Sequence, residues 1–340
     1  MSQEKNLTYK QAGVDIEQGE AAVEKISSFV KSTFNKTVIN TFGGYAGIIQ
    51  PSENYPLYLA VTTDGVGTKC EIARLTGIYD TIGFDLIAML VDDLICVGAQ
   101  PLAVVDYLAV GKLDPSKVVE IIKGITNACK VINAPLIGGE MAEHNNMHQE
   151  SFDLSGTAIG ILSIDSILGA HRVRKGDLLM GLKSPNLRSN GFSLARLILL
   201  ETHNLDLDKI PWPGETRTLG EILLEPSVIY TPFLLKVINQ LSSNLHALAH
   251  ITGGGLEKNL KRVLPPDLYA EINYTSWEVP NIFLKIQQLG NVKTSEMYQT
   301  FNMGIGMVLI IDPASKDEVI QLASSNSLEI TPIGKIAQKP

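Results

Sequence analysis

The segment from Thr81 to Val97 sets the hardest condition on any fold this chain adopts. Its spacing predicts a helix, capped by Gly98 and kept from continuing by Pro101. With about 100° of rotation per residue, Asp85, Asp92 and Asp93 fall within a sector of roughly 100°, while Phe84, Ile87, Leu90, Val91, Leu94 and Ile95 cover the rest. A helix apolar over most of its circumference is expected to be buried. Carboxylates crowded together there repel one another and take up protons unless cations compensate them. Two solutions are open: magnesium with phosphate oxygens, or a stripe that faces water or is paired by lysines from elsewhere.

Apolar strands surround this helix, and two of them end in acids. Leu57 to Thr63 is apolar, aromatic and β-branched and runs straight into Asp64-Gly65; Pro135 to Gly139 is a shorter strand with Glu140 just beyond its glycines. Leu102 to Val110 reads as another buried strand, Asp114-Pro115 as the cap and first residue of a helix, and 153–163 as a further strand. An amphipathic helix is predicted over about 16–31 from Val23, Ile26 and Val30, followed by a turn at Gly43 to Gly47 that could be a lid or a tight loop. The basic run His171 to Gly176 marks a composition change. The expected division is therefore a first domain over 1–168 and a second over 169–340, consistent with a length of 340 residues, more than one core usually serves. In the second half, strands at 177–182, 244–251, 303–311 and 328–333 alternate with helices at about 192–202, 256–263, 279–289 and 315–324. The fold class expected is α/β (α+β), with two mixed domains.

Asp64, Asp93 and Glu140 form a candidate magnesium set, because hard cations take oxygen ligands. Gly65 and Gly67 allow close backbone approach to a phosphate, Thr68 offers a hydroxyl and Lys69 a mobile charge. This loop, Asp64-Gly65-Val66-Gly67-Thr68-Lys69, is not a Walker P-loop, and a tight turn with an exposed lysine would read the same way. Thr252-Gly253-Gly254-Gly255 lies between a strand and a helix, as does Ser189-Asn190-Gly191. Either could present amides to an anion, and the second could be a plain helix cap. His246 and His250 share a strand face, as an acid or base or as hydrogen-bonded core histidines.

A net charge of −8 gives no broad footprint for nucleic acid or an acidic membrane, and 45% hydrophobic residues describe a globular chain. Residues 1–6 carry no apolar leader core and no run approaches a bilayer span, so a cytoplasmic protein is expected. Cys70, Cys96 and Cys129 stand far apart, as reduced buried thiols would.

Taken together, these segments resemble the aminoimidazole ribonucleotide synthetase (phosphoribosylformylglycinamidine cyclo-ligase) family from end to end. The similarity is carried by Tyr9 to Asp15, Thr63 to Lys69, Gly83 to Met89, Asp93-Leu94, Gly98 to Pro101, Asp106-Tyr107, Gly111 to Asp114, Gly138 to Glu140, Ser189 to Leu194, His246 to His250, Thr252 to Gly255 and Glu296 to Asn302. The resemblance implies that the first domain's sheet pairs across a homodimer into a barrel, with ATP near the interface, and that the second domain is a mixed sheet flanked by helices. It implies ATP and Mg2+ as cofactors and a phosphorylated ribonucleotide as substrate, with no nucleic acid or membrane partner. The implied reaction closes the ring of formylglycinamidine ribonucleotide to give aminoimidazole ribonucleotide, ADP and phosphate. Asp64 to Lys69 and Asp93 would meet ATP, Asp64, Asp93 and Glu140 the metal, and Arg188, Ser189, Asn190, Gly191, Thr252, Gly253 and Gly254 the substrate; Lys69 and His250 are the catalytic candidates.

Three departures stand out. Met141 to His148 replaces a proline-glycine turn, Arg188 stands where the family usually has histidine, and Asp92 stands for a usual asparagine. Arginine stays protonated and cannot act as a base, so His144, His148 or His250 would have to substitute, or Arg188 would grip a phosphate. A homologue that binds nucleotide without turnover, or another ATP-dependent enzyme resembling thiamin-phosphate kinase, is the alternative.

Overall fold

A computed structural model describes residues 6–40, 43–52 and 54–339. Residues 1–5, for which no apolar leader core was expected, lie outside the described residues. The first sheet has the order β1-β2-β5-β3-β4, from β1 (Gly47–Ile49), β2 (Leu57–Gly65), β3 (Gln100–Val110), β4 (Leu136–Glu143) and β5 (Phe152–Ser163). Only β3 and β4 run parallel. They are joined through a helix that Asp114 caps, its carboxylate accepting from Ser116 N–H at 3.0 Å, with Pro115 in the first turn. The second sheet is antiparallel throughout, in the order β7-β9-β6-β10-β8: β6 (Leu178–Lys183), β7 (Leu245–His250), β8 (Leu268–Ile272), β9 (Ile305–Ile311) and β10 (Ile330–Gln338). β7 and β9 are buried along their whole length, as continuous apolar strands require.

The helices follow in chain order as α1 (Ile16–Ser32), α2 (Lys69–Thr76), α3 (Ile82–Cys96), α4 (Pro115–Val131), α5 (Phe192–Arg196), α6 (Leu219–Leu224), α7 (Thr231–Leu241), α8 (Gly255–Lys261), α9 (Asn281–Gly290), α10 (Thr294–Thr300) and α11 (Lys316–Ser325). α5 continues as a wider π-helical turn through Thr202. The predicted helix at 16–31 forms, but it buries none of its residues: Val23 and Ile26 are each 47% exposed. β1, β8, α2, α6, α7 and α10 were not anticipated.

Alternation along the first sheet separates its faces. Ala60, Leu154, Ala158, Leu162, Val104 and Leu108 point inward, where α3 packs. Leu59, Val61, Ile159, Ile161, Val105 and Tyr107 point the other way, in cross-strand pairs such as Leu59 with Ile161 and Val61 with Ile159, and none of them is buried. α3 also packs on β7 and α7 of the second half. The all-round apolar helix is thus the seam between the two sheets.

Candidate functional site

The acidic stripe of α3 faces that seam, and each acid meets a different partner. Asp85 pairs with Lys69, whose ammonium donates to it and to the Glu225 carbonyl, both at 2.8 Å. The Ser227 N–H and hydroxyl add donors at 3.1 and 2.5 Å. Burial pulls the Lys69 pKa down and pushes that of Asp85 up, and each charge opposes the other's shift. Asp92 accepts from Arg188 at 2.8 Å, and from the N–H groups of Tyr230 and Thr231 at 3.0 Å each. Asp93 meets His250 Nδ1 at 2.8 Å. The crowding of carboxylates on this helix is therefore relieved largely by basic and polar groups of the protein itself, the second of the two solutions the sequence left open.

Two expected ligands are thereby redirected. Lys69 does not line the phosphate side of its loop, because its side chain is enclosed between Asp85 and the Glu225 carbonyl. Arg188 is fully buried and cannot grip a substrate phosphate: besides Asp92 it donates to the Val228 carbonyl at 2.7 Å and stacks on the Tyr230 ring at 4.9 Å. Arg188 and Asp92, two of the three departures noted in the sequence, meet in one ion pair, so the charge each introduces is cancelled by the other. His246 also proves to be a core histidine, bonded to Asp177 at 2.7 Å. His144 bonds Tyr107 at 3.1 Å, and His148 accepts from Glu150 N–H at 3.4 Å.

The proposed loops do come together. Thr68 of the first half touches Ser193 hydroxyl to hydroxyl at 3.2 Å, and Asn190 accepts from the Gly253 N–H at 3.0 Å. The segment Glu296 to Asn302 props these loops from behind. A side chain on Gly191, whose φ is +79°, would place Cβ 2.2 Å from the Phe301 ring, and one on Gly255 would lie 1.7 Å from the Tyr298 carbonyl oxygen. Only glycine permits that closeness. Glu296 accepts from the Tyr9 N–H at 2.8 Å, which brings the amino-terminal segment to the same place. The turn at Gly43 to Gly47 is held too: Tyr45 is buried and donates to the carbonyls of His250 and Asn259 at 3.1 Å each.

Asp64 and Asp93 are left facing one another electrostatically. Burial, then the charge of Asp93, lifts the Asp64 pKa to about 6; burial lifts that of Asp93 to about 7 against the pull of Arg262 and Arg188. Neither forms an ion pair with a lysine or arginine among the described residues. Arg262, which the sequence reading missed, is exposed and stacks over Tyr45 at 5.2 Å; no local motif marks it. Glu140 does not join this pair within one chain. It lies on β4, which is separated from β2 by β5 and β3, roughly 14 Å at the usual strand spacing. No group of three His, Cys, Asp or Glu able to hold a metal exists among the described residues. Two desolvated carboxylates, both with raised pKa values, nonetheless fit magnesium, which usually takes one or two from the protein and the remainder from phosphates and water.

Two sheets, a buried helix between them and converging glycine loops define a two-domain α/β protein. Residues 43–162 match the N-terminal domain, and residues 174–340 the C-terminal domain, of the AIR synthase related proteins. The chain belongs to that family. It is 41% identical over 334 residues to the phosphoribosylformylglycinamidine cyclo-ligase of Trichlorobacter lovleyi, covering 97% of this chain and 94% of the relative. Among solved structures, the thiamine-monophosphate kinase of Stenotrophomonas maltophilia K279a shares the fold, with a TM-score of 0.63 at 19% identity and 94% of each chain covered. So does T. maritima PurL complexed with ADP, with a TM-score of 0.60 at 14% identity over 95% of this chain and 48% of that one. Among the described residues no helix is long and apolar enough to cross a membrane.

Proposed function

We propose that this chain closes the ring of formylglycinamidine ribonucleotide with ATP, giving aminoimidazole ribonucleotide, ADP and phosphate. The observation that carries the reading is the convergence of the Asp64 to Thr68 loop with the Ser189 to Ser193 and Thr252 to Gly254 loops. The convergence supports the reading together with two buried carboxylates that form no ion pair with a lysine or arginine among the described residues, in a chain 41% identical over 334 residues to a named cyclo-ligase. Asp64 and Asp93 would hold magnesium, which supplies positive charge against the transferring phosphoryl group. The backbone of Gly65 to Gly67 and the Thr68 hydroxyl line the polyphosphate. Ser189 has a buried hydroxyl with no partner among the described residues, and with Asn190, Gly191 and the Thr252 to Gly254 backbone it would take the ribose phosphate. An amide oxygen is a poor leaving group, so its phosphorylation precedes attack by the internal nitrogen, and holding both ends of the substrate makes that attack intramolecular. His250, Arg188 and Lys69 stand behind these loops as supports.

One observation favours a second reading, a nucleotide-binding homologue without turnover: Arg188 is locked in an ion pair where a titratable histidine was expected. Incubation with magnesium-ATP and formylglycinamidine ribonucleotide separates the readings. ADP and aminoimidazole ribonucleotide in equal amounts are expected. ADP without the imidazole product would point to a different phosphoryl transfer, and bound ATP with no ADP to the silent homologue.

The chain acts as a homodimer in this reading, the partner covering the open apolar face of the first sheet. Tyr107 and Val61 there are 38% and 37% exposed, and a contiguous apolar face of this kind is a usual mark of an interface. Sedimentation should give twice the chain mass of 36.9 kDa, and Val61→Glu should halve it. A monomeric wild type would rule the dimer out.

A further inference from the structure

We propose that Arg188 is a positioning residue for Asp93 and acts through His250. The proposal rests on the reading that Asp93 meets the magnesium. A guanidinium carries donors only. Arg188 Nη2 lies 3.0 Å from His250 Nε2, so Nε2 must be the accepting nitrogen, and the ring proton sits on Nδ1. Nδ1–H then donates to Asp93 Oδ1, 2.8 Å away, which fixes the carboxylate's rotation and leaves its other oxygen for a cation. Arg188 has no freedom to do otherwise. Asp92 holds the same Nη2 at 2.8 Å, the Val228 carbonyl holds Nη1 at 2.7 Å, and the Tyr230 ring lies under the guanidinium. Its backbone sits at φ +60°, a left-handed conformation rare for a side chain of this size, so the surrounding contacts hold it against local strain. The chain Asp92, Arg188, His250, Asp93 thus begins and ends on α3 and passes through the second half of the protein between.

The test is nitrogen NMR on the full chain labelled with 15N-histidine, with His250 assigned by its loss in His250→Asn. Wild type should show a protonated Nδ1 and an unprotonated Nε2 at this residue. In Arg188→Met the unprotonated Nε2 signal should move to that of a nitrogen accepting no hydrogen bond, and in Arg188→Lys, again a pure donor, the wild-type position should return. The charge-balanced pair Asp92→Asn with Arg188→Met avoids an orphaned carboxylate should the single variant misfold, and it should show the same shift. Magnesium affinity, measured by calorimetry with a non-hydrolysable ATP analogue, should fall about 10- to 100-fold in the methionine variants and recover with lysine. A wild-type proton on Nε2, or an unmoved Nε2 signal in the methionine variants, overturns the proposal. So does unchanged magnesium affinity in the methionine variants when Asp93→Asn weakens it. Unchanged affinity in Asp93→Asn itself would instead remove the metal reading.

Discussion

Asp64→Asn is expected to lower turnover by about 10²- to 10³-fold while making the protein more stable at pH 8. The two effects share one cause. Asp64 is nearly enclosed, and burial together with the charge of Asp93 raises its pKa to about 6. Its unfolded value is about 3.9. A carboxylate raised in this way binds a proton more tightly folded than unfolded, so its ionisation subtracts stability progressively as pH rises from about 4 to 6 and fully above that. The cost is on the order of 2–3 kcal/mol. Asparagine keeps an oxygen to accept from Gly65 N–H, a bond of 2.7 Å in wild type, and removes the charge. Urea midpoints should therefore rise at pH 8 and converge with wild type near pH 4. Without the charge magnesium loses one of its two carboxylates, and several kcal/mol of transition-state stabilisation correspond to a loss on the order of 10²- to 10³-fold. Near-normal turnover with the expected gain in stability would remove Asp64 from the metal site and leave its electrostatics intact.

Lys69→Met is expected to have the largest effect on folding. It strands Asp85 in a place where neither side chain of the pair has more than 1% exposure. Removing one partner of a buried ion pair costs about 3–5 kcal/mol, much of it from the charge left behind. The Ser227 donors soften that penalty without cancelling it. Combining Lys69→Met with Asp85→Leu should recover most of the stability, because a well-packed apolar pair replaces the ions at little cost. The same double variant tests whether Lys69 also touches nucleotide. Its apparent affinity for ATP should stay within a few-fold of wild type, and a stable double variant that no longer binds ATP would return Lys69 to the phosphate side.

The acidic stripe was legible because its geometry is local: three positions on one helix fix their mutual angles. Its partners were not. Ser227 lies 142 residues from Asp85, Arg188 lies 96 from Asp92 and His250 lies 157 from Asp93, and no spacing rule links residues so far apart. For the same reason Lys69 read as a mobile charge at a loop edge, when α2 in fact turns it into the seam. β2 was readable from its β-branched run, whereas β8 is a short edge strand whose alternating exposure gives little signal. Glu140 looked like a third ligand because it shares the strand-then-glycine pattern of Asp64; sheet order, a property of the whole chain, sets the two apart. The glycines at 191 and 255 read as phosphate loops on their own, and their closeness to Phe301 and Tyr298 adds a packing reason that only the fold displays.

Because α3 draws the partners of all three acids largely from strands and loops made later, the order of synthesis matters. Asp93 receives its orienting hydrogen bond from His250, and Asp85 and Asp92 receive theirs from residues 225–231 and 188 as well as from Lys69. A nascent chain that has emerged only as far as β5 already contains both proposed magnesium carboxylates, yet it lacks the groups that would aim one of them. Until β7 docks, Asp93 lacks the hydrogen bond that orients it, so under the proposed reading the nucleotide site would be finished only with the second half of the chain.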